Sequence, residues 1–384
     1  MTTWLPRCFA GLLLVLPFVP AVADDPDDKE IARLVKQLSS DVFKDREASR
    51  KRLEEIGEAA LPTLEKAKSN GDIEQRRRAA AIMTVIEDRL YVEKRRLVGH
   101  TGHVWSISVS RDGNSLLTSS TDKTLRLWDA DTGKCRVVFE GHTDRILSAA
   151  ISPDCRRMLS GSNDGTIRLW DAASGKQIRK MDDDTNLVMS VVFISDDQAI
   201  SGGWQGKMRL WDLKTGETTR VCDFRPWRGW CSVAYNEKTK LAMTCSHDLS
   251  IHLWNLEIGK QVRQVIGTHG NGIMNVAFSP DGKRIVSAGQ NLNMRLWNAE
   301  AGKELSRIKW GRAYCAAFSP DGKRIVSGSN LDNHVSVWDI ETGRELRRYE
   351  GHTDFVTSVK FFPDGKHIAS TSYDGTARIW RAPR

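Results

Sequence analysis

Seven tryptophans recur at an almost constant interval along the last three quarters of this 384-residue chain. The intervals between them are 42, 41, 43, 43, 41 and 42 residues, and the tryptophans are Trp128, Trp170, Trp211, Trp254, Trp297, Trp338 and Trp380. The nine residues SPDGKRIVS also occur twice, at 279–287 and at 319–327. One reactive site needs one set of residues, whereas a structural unit can be copied many times. The interval therefore predicts seven tandem copies of one structural unit.

The residues before each tryptophan have the pattern of a β-strand. Apolar and polar residues alternate in TLRLWD at 124–129 and in TIRLWD at 166–171. Alternation with period two is typical of a strand that buries one face. The sequence SPDG joins two such alternating runs and predicts a hairpin turn. Six residues before each tryptophan stands Asp, Asn or Gln, which predicts a second tight turn in each copy.

Two further residue types keep a fixed distance from the tryptophans. A serine or threonine lies ten residues before six of them and eleven residues before Trp338, and a Gly-His pair places its histidine 28 residues before three of them. The complete sets are His100, Thr118, Asp122 and Trp128; His142, Ser160, Asp164 and Trp170; and His352, Ser370, Asp374 and Trp380. The third, fourth and sixth copies depart from this pattern, so we expect their blades to be less rigid or specialised.

This arrangement, with Gly-His before the tryptophan in copies of about 40 to 45 residues, resembles the WD-repeat family over residues 91–384. The resemblance implies an all-β, seven-bladed β-propeller with four antiparallel strands in each blade. It also implies that each complete His, Ser/Thr, Asp and Trp set forms a hydrogen-bonded tetrad inside its blade. Buried polar groups need partners, so repeated tetrads favour a structural role over a Ser-His-Asp catalytic triad.

The ends of the repeat region predict how the propeller closes. The chain stops four residues after Trp380, where every other copy continues into a further strand. Residues 91–98, YVEKRRLV, directly precede the first Gly-His pair, the place that a fourth strand has before Gly141. We expect residues 91–98 to pair with the last blade, because an unpaired strand edge promotes aggregation.

Residues 24–90 differ from the repeats and predict a small N-terminal α-helical domain. Apolar residues recur at helical spacing, beginning with Ile31, Leu34, Val35 and Leu38. Breaks at Gly57 and at Asn70-Gly71 divide the segment into several helices. The arrangement resembles a HEAT-like helical module, although any antiparallel helical bundle has similar periodicity.

The first 23 residues have the pattern of a secretory signal peptide. Arg7 precedes an apolar run over residues 8–19, and Ala21-Val22-Ala23 provides a small-residue cleavage motif. The protein is therefore expected to be exported, to the periplasm or the extracellular space. No later segment has the roughly 20 apolar residues of a spanning helix, so no integral membrane segment is expected after signal cleavage.

Composition and cysteine spacing argue against several classes of function. The chain has 57 basic and 49 acidic side chains, and this mild excess, together with export, argues against binding of nucleic acid. The cysteines form no CxxC pair and the histidines no cluster with ligand spacing, so neither a metal nor a cofactor is predicted. Scattered cysteines are more typical of buried thiols than of a disulfide framework.

Large aromatic and basic residues outside the repeat pattern mark a candidate binding surface. They fall on connections that share one rim of a WD-repeat propeller, the top face, and are Trp105, Arg145, Trp204, Trp227, Arg228, Trp230, Trp310, Tyr314, Phe355 and Tyr373. Trp, Tyr and Arg dominate binding hot spots, so the sequence predicts a docking surface centred on copies three to five. The most informative stretch is DFRPWRGWCS at 223–232. The alternative for any one ring is that it fills a gap between irregular blades.

Three interpretations of function follow from this surface. The favoured one is a monomeric, non-enzymatic scaffold that binds an unidentified peptide or protein partner on the top face. Because aromatic rings also stack on sugars, a cell-envelope, lectin-like carbohydrate-binding propeller is the alternative. A propeller enzyme ranks lowest, since no catalytic residues, carboxylate pair or phosphate-binding glycine loop stands out from the repeats.

Overall fold

The structure is a computed structural model that describes most of the chain in eight ranges. These are residues 27–90, 93–183, 187–223, 232–245, 250–266, 272–289, 294–308 and 313–383. The chain divides into two compact units, with the boundary between Leu90 and Tyr91.

The N-terminal unit is made of helices with a core of its own. Its elements are α1 (Asp28–Gln37), α2 (Phe43–Ile56), a 3₁₀ turn (Gly57–Ala60), α3 (Leu61–Asn70) and α4 (Ile73–Leu90). The Asp27 side chain accepts a hydrogen bond from the Lys29 amide and so caps α1. Pro62 lies in the first turn of α3, where its missing N–H costs no helical hydrogen bond. Leu53, Leu64 and Ile82 are among the residues of the core.

The described residues of the second unit form 28 strands. A short strand, β1 (Glu93–Leu97), comes first. The innermost strands are β2 (Val104–Val109), β6 (Ile146–Ile151), β10 (Val188–Phe193), β14 (Ser232–Asn236), β18 (Ile273–Phe278), β22 (Ala313–Phe318) and β26 (Val356–Phe361). The second strands are β3 (Ser115–Ser120), β7 (Arg157–Ser162), β11 (Gln198–Gly203), β15 (Leu241–Cys245), β19 (Arg284–Gly289), β23 (Arg324–Ser329) and β27 (His367–Ser372).

The remaining strands complete the sheets. The third strands, which carry the repeated tryptophans, are β4 (Leu125–Asp129), β8 (Thr166–Asp171), β12 (Lys207–Asp212), β16 (Ser250–Asn255), β20 (Met294–Asn298), β24 (Val335–Asp339) and β28 (Ala377–Arg381). The outermost are β5 (Cys135–Phe139), β9 (Gln177–Asp182), β13 (Thr218–Asp223), β17 (Lys260–Ile266), β21 (Glu304–Ile308) and β25 (Glu345–Tyr349).

These strands form seven four-stranded antiparallel sheets, which we number as blades 1 to 7 in the order of their innermost strands. The predicted fold class, a seven-bladed β-propeller preceded by a helical segment, is confirmed. Second strands bury nearly every residue, and third strands are almost as buried, because both lie between neighbouring blades. Outermost strands alternate between exposed and covered residues, as a strand with one solvent face does.

The duplicated SPDG sequence is the turn between the innermost and second strands. In blade 5, the Ser279 hydroxyl accepts a hydrogen bond from the Arg284 amide at 2.9 Å, and Asp281 accepts one from the Lys283 amide at 3.0 Å. Gly282 has φ 73°, a left-handed conformation that favours glycine. Blade 6 repeats the turn with Ser319 and with Gly322 at φ 68°.

Blade 7 takes its fourth strand from the start of the propeller. β1 pairs antiparallel with β28, with Glu93 opposite Trp380 and Leu97 opposite Ala377. The Leu97 side chain is 1% exposed and packs in the apolar cluster that contains Trp128. Glu93 also forms an ion pair with the buried Arg378 of β28. The ring is therefore closed by residues that are almost 300 positions apart in the sequence.

Side chains of the innermost strands join neighbouring blades. The Ser106 hydroxyl accepts a hydrogen bond from the Ala149 amide at 2.9 Å, and Ser148 accepts one from Val191 at 3.0 Å. Across the closure, the Thr357 hydroxyl donates to the Val104 carbonyl at 2.6 Å. These bonds use strand edges that have no further strand beside them, and they enclose a central channel.

Candidate functional site

The first candidate site is the set of His, Ser/Thr, Asp and Trp residues within each blade. In blade 1, the Trp128 Nε1 atom donates to Thr118 Oγ1 at 2.8 Å, and Thr118 Oγ1 lies 2.7 Å from His100 Nε2. The other ring nitrogen, Nδ1, lies 2.8 Å from the Asp122 carboxylate. Blades 2 and 7 have the same contacts, among His142, Ser160, Asp164 and Trp170 and among His352, Ser370, Asp374 and Trp380.

Burial and hydrogen bonding determine which members of the tetrad are protonated. Burial lowers the pKa of His142 and His352 and outweighs the opposing effect of the neighbouring aspartate. Burial would raise the pKa of Asp164, but its hydrogen bond from His142 and its other hydrogen bonds hold that pKa far below the usual value. A neutral histidine that donates from Nδ1 to an ionised aspartate accepts the serine hydroxyl proton at Nε2.

This geometry resembles a Ser-His-Asp triad, but no substrate can reach it. The hydroxyl-bearing residues Thr118, Ser160 and Ser370 are each 0% exposed. Each hydroxyl also accepts the tryptophan N–H, which ties it to the blade interior. The arrangement satisfies four buried polar groups in one chain of hydrogen bonds and so holds the second and third strands to the loop that enters the blade.

Blade 3 satisfies its buried serine hydroxyl and tryptophan N–H with different residues. Asp183 stands 28 residues before Trp211, the position that histidine has in blades 1, 2 and 7. It accepts a hydrogen bond from the Ser201 hydroxyl at 2.9 Å and forms a buried ion pair with Arg209, also at 2.9 Å. Trp211 still donates to Ser201 at 2.9 Å. The third copy is therefore a variant of the tetrad. Asp183 and Arg209 take the place of the histidine and aspartate that the other tetrads contain.

The second candidate site is a group of four rings on the top face, which we call the Tyr373 cluster: His103, Trp105, Phe355 and Tyr373. The Tyr373 ring is stacked on Phe355, with 5.5 Å between ring centroids, and meets the edge of Trp105 at 5.1 Å. The His103 ring lies 4.5 Å from the same tyrosine. His103 Nδ1 is also 2.7 Å from the Tyr373 carbonyl oxygen and fixes the turn.

A repeated backbone hydrogen bond places these side chains at the rim. In each case, the residue seven positions before the repeated tryptophan donates its amide to the carbonyl of the residue just before the innermost strand. Tyr373 donates to Phe355 at 3.0 Å, and Trp204 donates to Leu187 at 3.1 Å. The same bond in blade 2 runs from Asn163 to Arg145. The rim residues are therefore held by main-chain hydrogen bonds, and the side chains of Arg145, Trp204 and Phe355 are exposed.

Two more of the predicted site residues, Arg145 and Tyr314, interact electrostatically with Tyr373 of this cluster. Burial raises the pKa of Tyr373, and the positive charge of Arg145 opposes that rise. Burial likewise raises the pKa of Tyr314, with a smaller contribution from Tyr373. Both tyrosines therefore stay protonated and can donate hydrogen bonds to a ligand. The cluster has an exposed cation, Arg145, within electrostatic range.

The remaining predicted rim residues are not part of the Tyr373 cluster. Trp204 is exposed on blade 3, and the structure gives it no ring contact with the cluster. Trp227, Arg228, Trp230 and Trp310 lie outside the described residues. The docking surface predicted around copies three to five therefore stays a prediction.

One member of the cluster, His103, was not predicted as a site residue. It stands 25 residues before Trp128, the same offset that Arg145 has from Trp170 and that Phe355 has from Trp380. That offset was a signal available in the sequence. The contact itself was not, because His103 lies in blade 1 and Tyr373 lies in blade 7.

Other kinds of site are limited by what the described ranges contain. Within those ranges, no group of three or more His, Cys, Asp or Glu residues has the geometry of a metal site. None of the five cysteines in the described ranges forms a disulfide with another of them, and Cys222, Cys245 and Cys315 are buried. None of the helices in the described part of the chain has the length and apolar character required to cross a bilayer.

Comparison with known protein families identifies two matches. The model described as "IFT122 first beta-propeller" matches residues 90–313, which is more than half of the chain. The model described as "WD domain, G-beta repeat" matches residues 309–339 and 343–381. Together the matched ranges cover residues 90–339 and 343–381.

Curated proteins that the chain resembles share only short segments with it. A guanine nucleotide-binding protein subunit beta of Zea mays is 48% identical over 52 residues, which are 13% of this chain and 14% of the relative. The target of rapamycin complex subunit wat1 of Schizosaccharomyces pombe is 46% identical over 54 residues, 13% of this chain and 17% of the relative. The nuclear distribution protein PAC1 of Arthroderma otae is 40% identical over 52 residues, 14% of this chain and 11% of the relative.

These relatives correct one prediction. The expected export to the periplasm or extracellular space is wrong, because the related proteins are intracellular and nothing in the comparisons supports a signal peptide at residues 1–23. The physical reason is that an apolar run as short as residues 8–19 is also compatible with a buried helix or an interfacial segment. Residues 1–26 lie outside the described residues.

Proposed function

Because the chain belongs to the WD-repeat β-propeller family, we propose that it is a non-enzymatic scaffold that binds a peptide or protein partner on its top face. Propellers of this family are typically protein–protein interaction scaffolds. The relatives' names are compatible with such a role, since two are described as subunits.

The observation that carries this proposal is the Tyr373 cluster. Its four rings are supplied by two blades and are held together by ring contacts and by the backbone of the Tyr373 turn. Phe355 is 41% exposed, although it is a large apolar side chain beside other rings. A preorganised group of aromatic side chains loses little conformational entropy on binding and offers a large apolar area.

The chemistry around the cluster supports a polypeptide ligand. Exposed Arg145 can pair with an acidic side chain, and the protonated hydroxyl of Tyr373 can donate to a peptide carbonyl. Aromatic anchors beside an arginine are the combination found most often in binding hot spots. The predicted rim residues Trp204, Trp227, Arg228, Trp230 and Trp310, together with Tyr314, would extend this surface around the channel mouth.

The proposal is tested by cross-linking and then by affinity. A photo-reactive phenylalanine placed at position 355 is expected to cross-link a partner protein in cell extract, which mass spectrometry then identifies. With that purified partner, Phe355→Ala and Tyr373→Ala together should weaken binding by at least about tenfold, because each truncates a hot-spot ring. Replacing Trp227, Arg228 and Trp230 by Ala tests the predicted extension in the same assay.

Leu346 provides the matched control, since it is also 41% exposed but lies on the outermost strand of blade 6. Cross-linking from position 346 and the variant Leu346→Ala should show neither the partner nor a loss of affinity. Equal capture from positions 355 and 346 would contradict a top-face site. Specific binding on a glycan array, with no protein partner captured, would instead favour a carbohydrate ligand.

A further inference from the structure

The channel at the centre of the propeller is a cavity of about 680 Å³. All seven innermost strands line it, from Trp105 and Tyr314 near the top face to Arg111 and Pro363 at the opposite end. A volume of this size lies in the range of small-molecule binding sites, about 300 to 1,000 Å³. Each innermost strand is the edge of its sheet, so the backbone N–H and C=O groups that do not already bond to a neighbouring blade face the channel.

One lysine interrupts a set of small residues in this channel. Lys360 pairs with Ala369, the residue directly before the tetrad hydroxyl of Ser370. The residues at the same register position in the other six blades all have short side chains: Ser108, Ala150, Val192, Ala234, Ala277 and Ala317. The six short side chains leave room for a long one, and Lys360 is exposed to the cavity.

Lys360 has no counterion in the described part of the structure. It makes no hydrogen bond or ion pair there, and none of the described residues that line the cavity is an aspartate or a glutamate. The other cation of the lining, Arg111, pairs with Glu237 at 2.8 Å. The blades surround the channel into which Lys360 is exposed, and the partial desolvation of its ammonium group lowers its pKa.

Cys315 of β22 does not compensate the lysine. A thiolate at this position would act on Lys360, but burial raises the pKa of the Cys315 thiol to about 12, so it stays neutral. Lys360 therefore gives this level of the channel a positive charge that no acidic side chain of the described lining balances. An anionic ligand would pair with that charge and would accept hydrogen bonds from the hydroxyls of Ser358 and Ser108, which line the same cavity.

We propose that the central channel binds a small organic or inorganic oxyanion, with a carboxylate or phosphate group that pairs with Lys360. This site goes beyond the top-face interaction, because Lys360 lies five positions further along the chain than Phe355 of the rim. The cavity is larger than one oxyanion group, so an organic anion that carries such a group fills it better than inorganic phosphate does.

The probes are citrate and inorganic phosphate, titrated into the full chain by calorimetry at constant ionic strength. We expect saturable binding of one ligand per chain for at least one of the two, and their relative affinities distinguish a carboxylate from a phosphate. Lys360→Met is expected to weaken that binding at least tenfold, and Lys360→Arg should retain most of it because the charge is kept. Circular dichroism establishes that each variant is folded.

Lys366→Met is the matched control, since Lys366 is an exposed lysine in the turn six residues further on. It should bind the probes as the unaltered chain does. A second measurement follows the reductively ¹³C-methylated lysines by NMR, in which the Lys360 resonance should shift during the titration. The proposal is wrong if neither probe binds, or if Lys360→Met binds as tightly as the unaltered protein.

Discussion

At the scale of single residues, the blades show that different sets of side chains can satisfy the same buried hydroxyl and tryptophan N–H groups. Blade 2 uses Trp170, Ser160, His142 and Asp164, whereas blade 3 keeps only the tryptophan and serine and adds Asp183 and Arg209. Each arrangement leaves no tetrad hydroxyl without a partner. An unsatisfied buried donor or acceptor costs about 1–3 kcal/mol, so loss of either network would be a substantial fraction of a domain's stability.

The histidines of the tetrads should make stability depend on pH between 7 and 5. The folded-state pKa of His142 and His352 is lowered from 6.5, so unfolded histidines bind protons that the folded ones do not. Their contribution is present above about pH 6.5 and is lost as the pH falls. The slope is at most ~1.4 kcal/mol per pH unit for each histidine. Urea unfolding followed by tryptophan fluorescence at pH 7, 6 and 5 measures it.

The variant with His142→Gln and His352→Gln is the comparison for this prediction. Its free energy of unfolding should change less between pH 7 and pH 5, whatever its absolute stability. Asp164 and Asp374 interfere little, because their folded-state pKa values are lowered and their contribution is lost mainly below about pH 4, near the pKa of an unfolded aspartate. Identical slopes for the variant and the unaltered chain would show that the histidines do not govern the dependence.

At the scale of secondary-structure elements, the short strand β1 closes the propeller. Five residues complete blade 7, and they do so through a buried leucine, an ion pair and an antiparallel ladder. Without β1, β28 would be an exposed edge strand. The position of this strand at the start of the repeat region is what allows the last blade to contain residues from both ends.

Leu97→Ala is expected to reduce the free energy of unfolding by about 2–5 kcal/mol, because it leaves a cavity beneath the closing strand. Arg96→Ala, at the adjacent exposed position, should cost less than about 1 kcal/mol, since its ion pair with Glu93 lies at the surface. Urea unfolding of the two variants side by side measures the difference. Equal losses would argue that the closing strand contributes through its backbone alone.

At the scale of the whole molecule, closure also creates the candidate binding surface. Trp105 and Tyr373 are separated by 268 residues, yet their rings are 5.1 Å apart because blade 7 lies beside blade 1. Thr357 bonds to Val104 across the same junction. An open chain of blades would contain every residue of the Tyr373 cluster but would not assemble it. Stability of the ring and formation of this surface are therefore coupled.

A closed ring should lose its structure as one unit, because it has no terminal repeat from which unfolding can spread independently. Leu97→Ala is therefore expected to lower hydrogen-exchange protection at the Val191 amide of blade 3 as much as at the Ile379 amide of blade 7. Exchange measured by mass spectrometry at low denaturant compares these segments. Loss of protection confined to blades 1 and 7 would show that the blades open separately.

The periodic sequence was sufficient to predict the fold class, because six of the seven blades are built from consecutive strands within about 40 residues and only blade 7 takes one strand from elsewhere. Alternation specified strands, SPDG specified a turn, and constant offsets pointed to the residues that meet in each tetrad. Blade 3 was harder, since Asp183 and Arg209 satisfy the same hydroxyl with residue types that the repeat pattern does not contain. The N-terminal apolar run led to the wrong location, because a short hydrophobic segment has several possible uses.

The sequence by itself therefore determined the blades, since a repeated local pattern has one way to bury its apolar face and pair its polar groups. Only the tertiary structure decided what the blades form together: the cluster around Tyr373, and Lys360 among short side chains in the channel. These neighbours are set by how the ring closes, which joins residues far apart in the chain. The sequence pattern within a blade does not specify which side chain of the neighbouring blade will contact it.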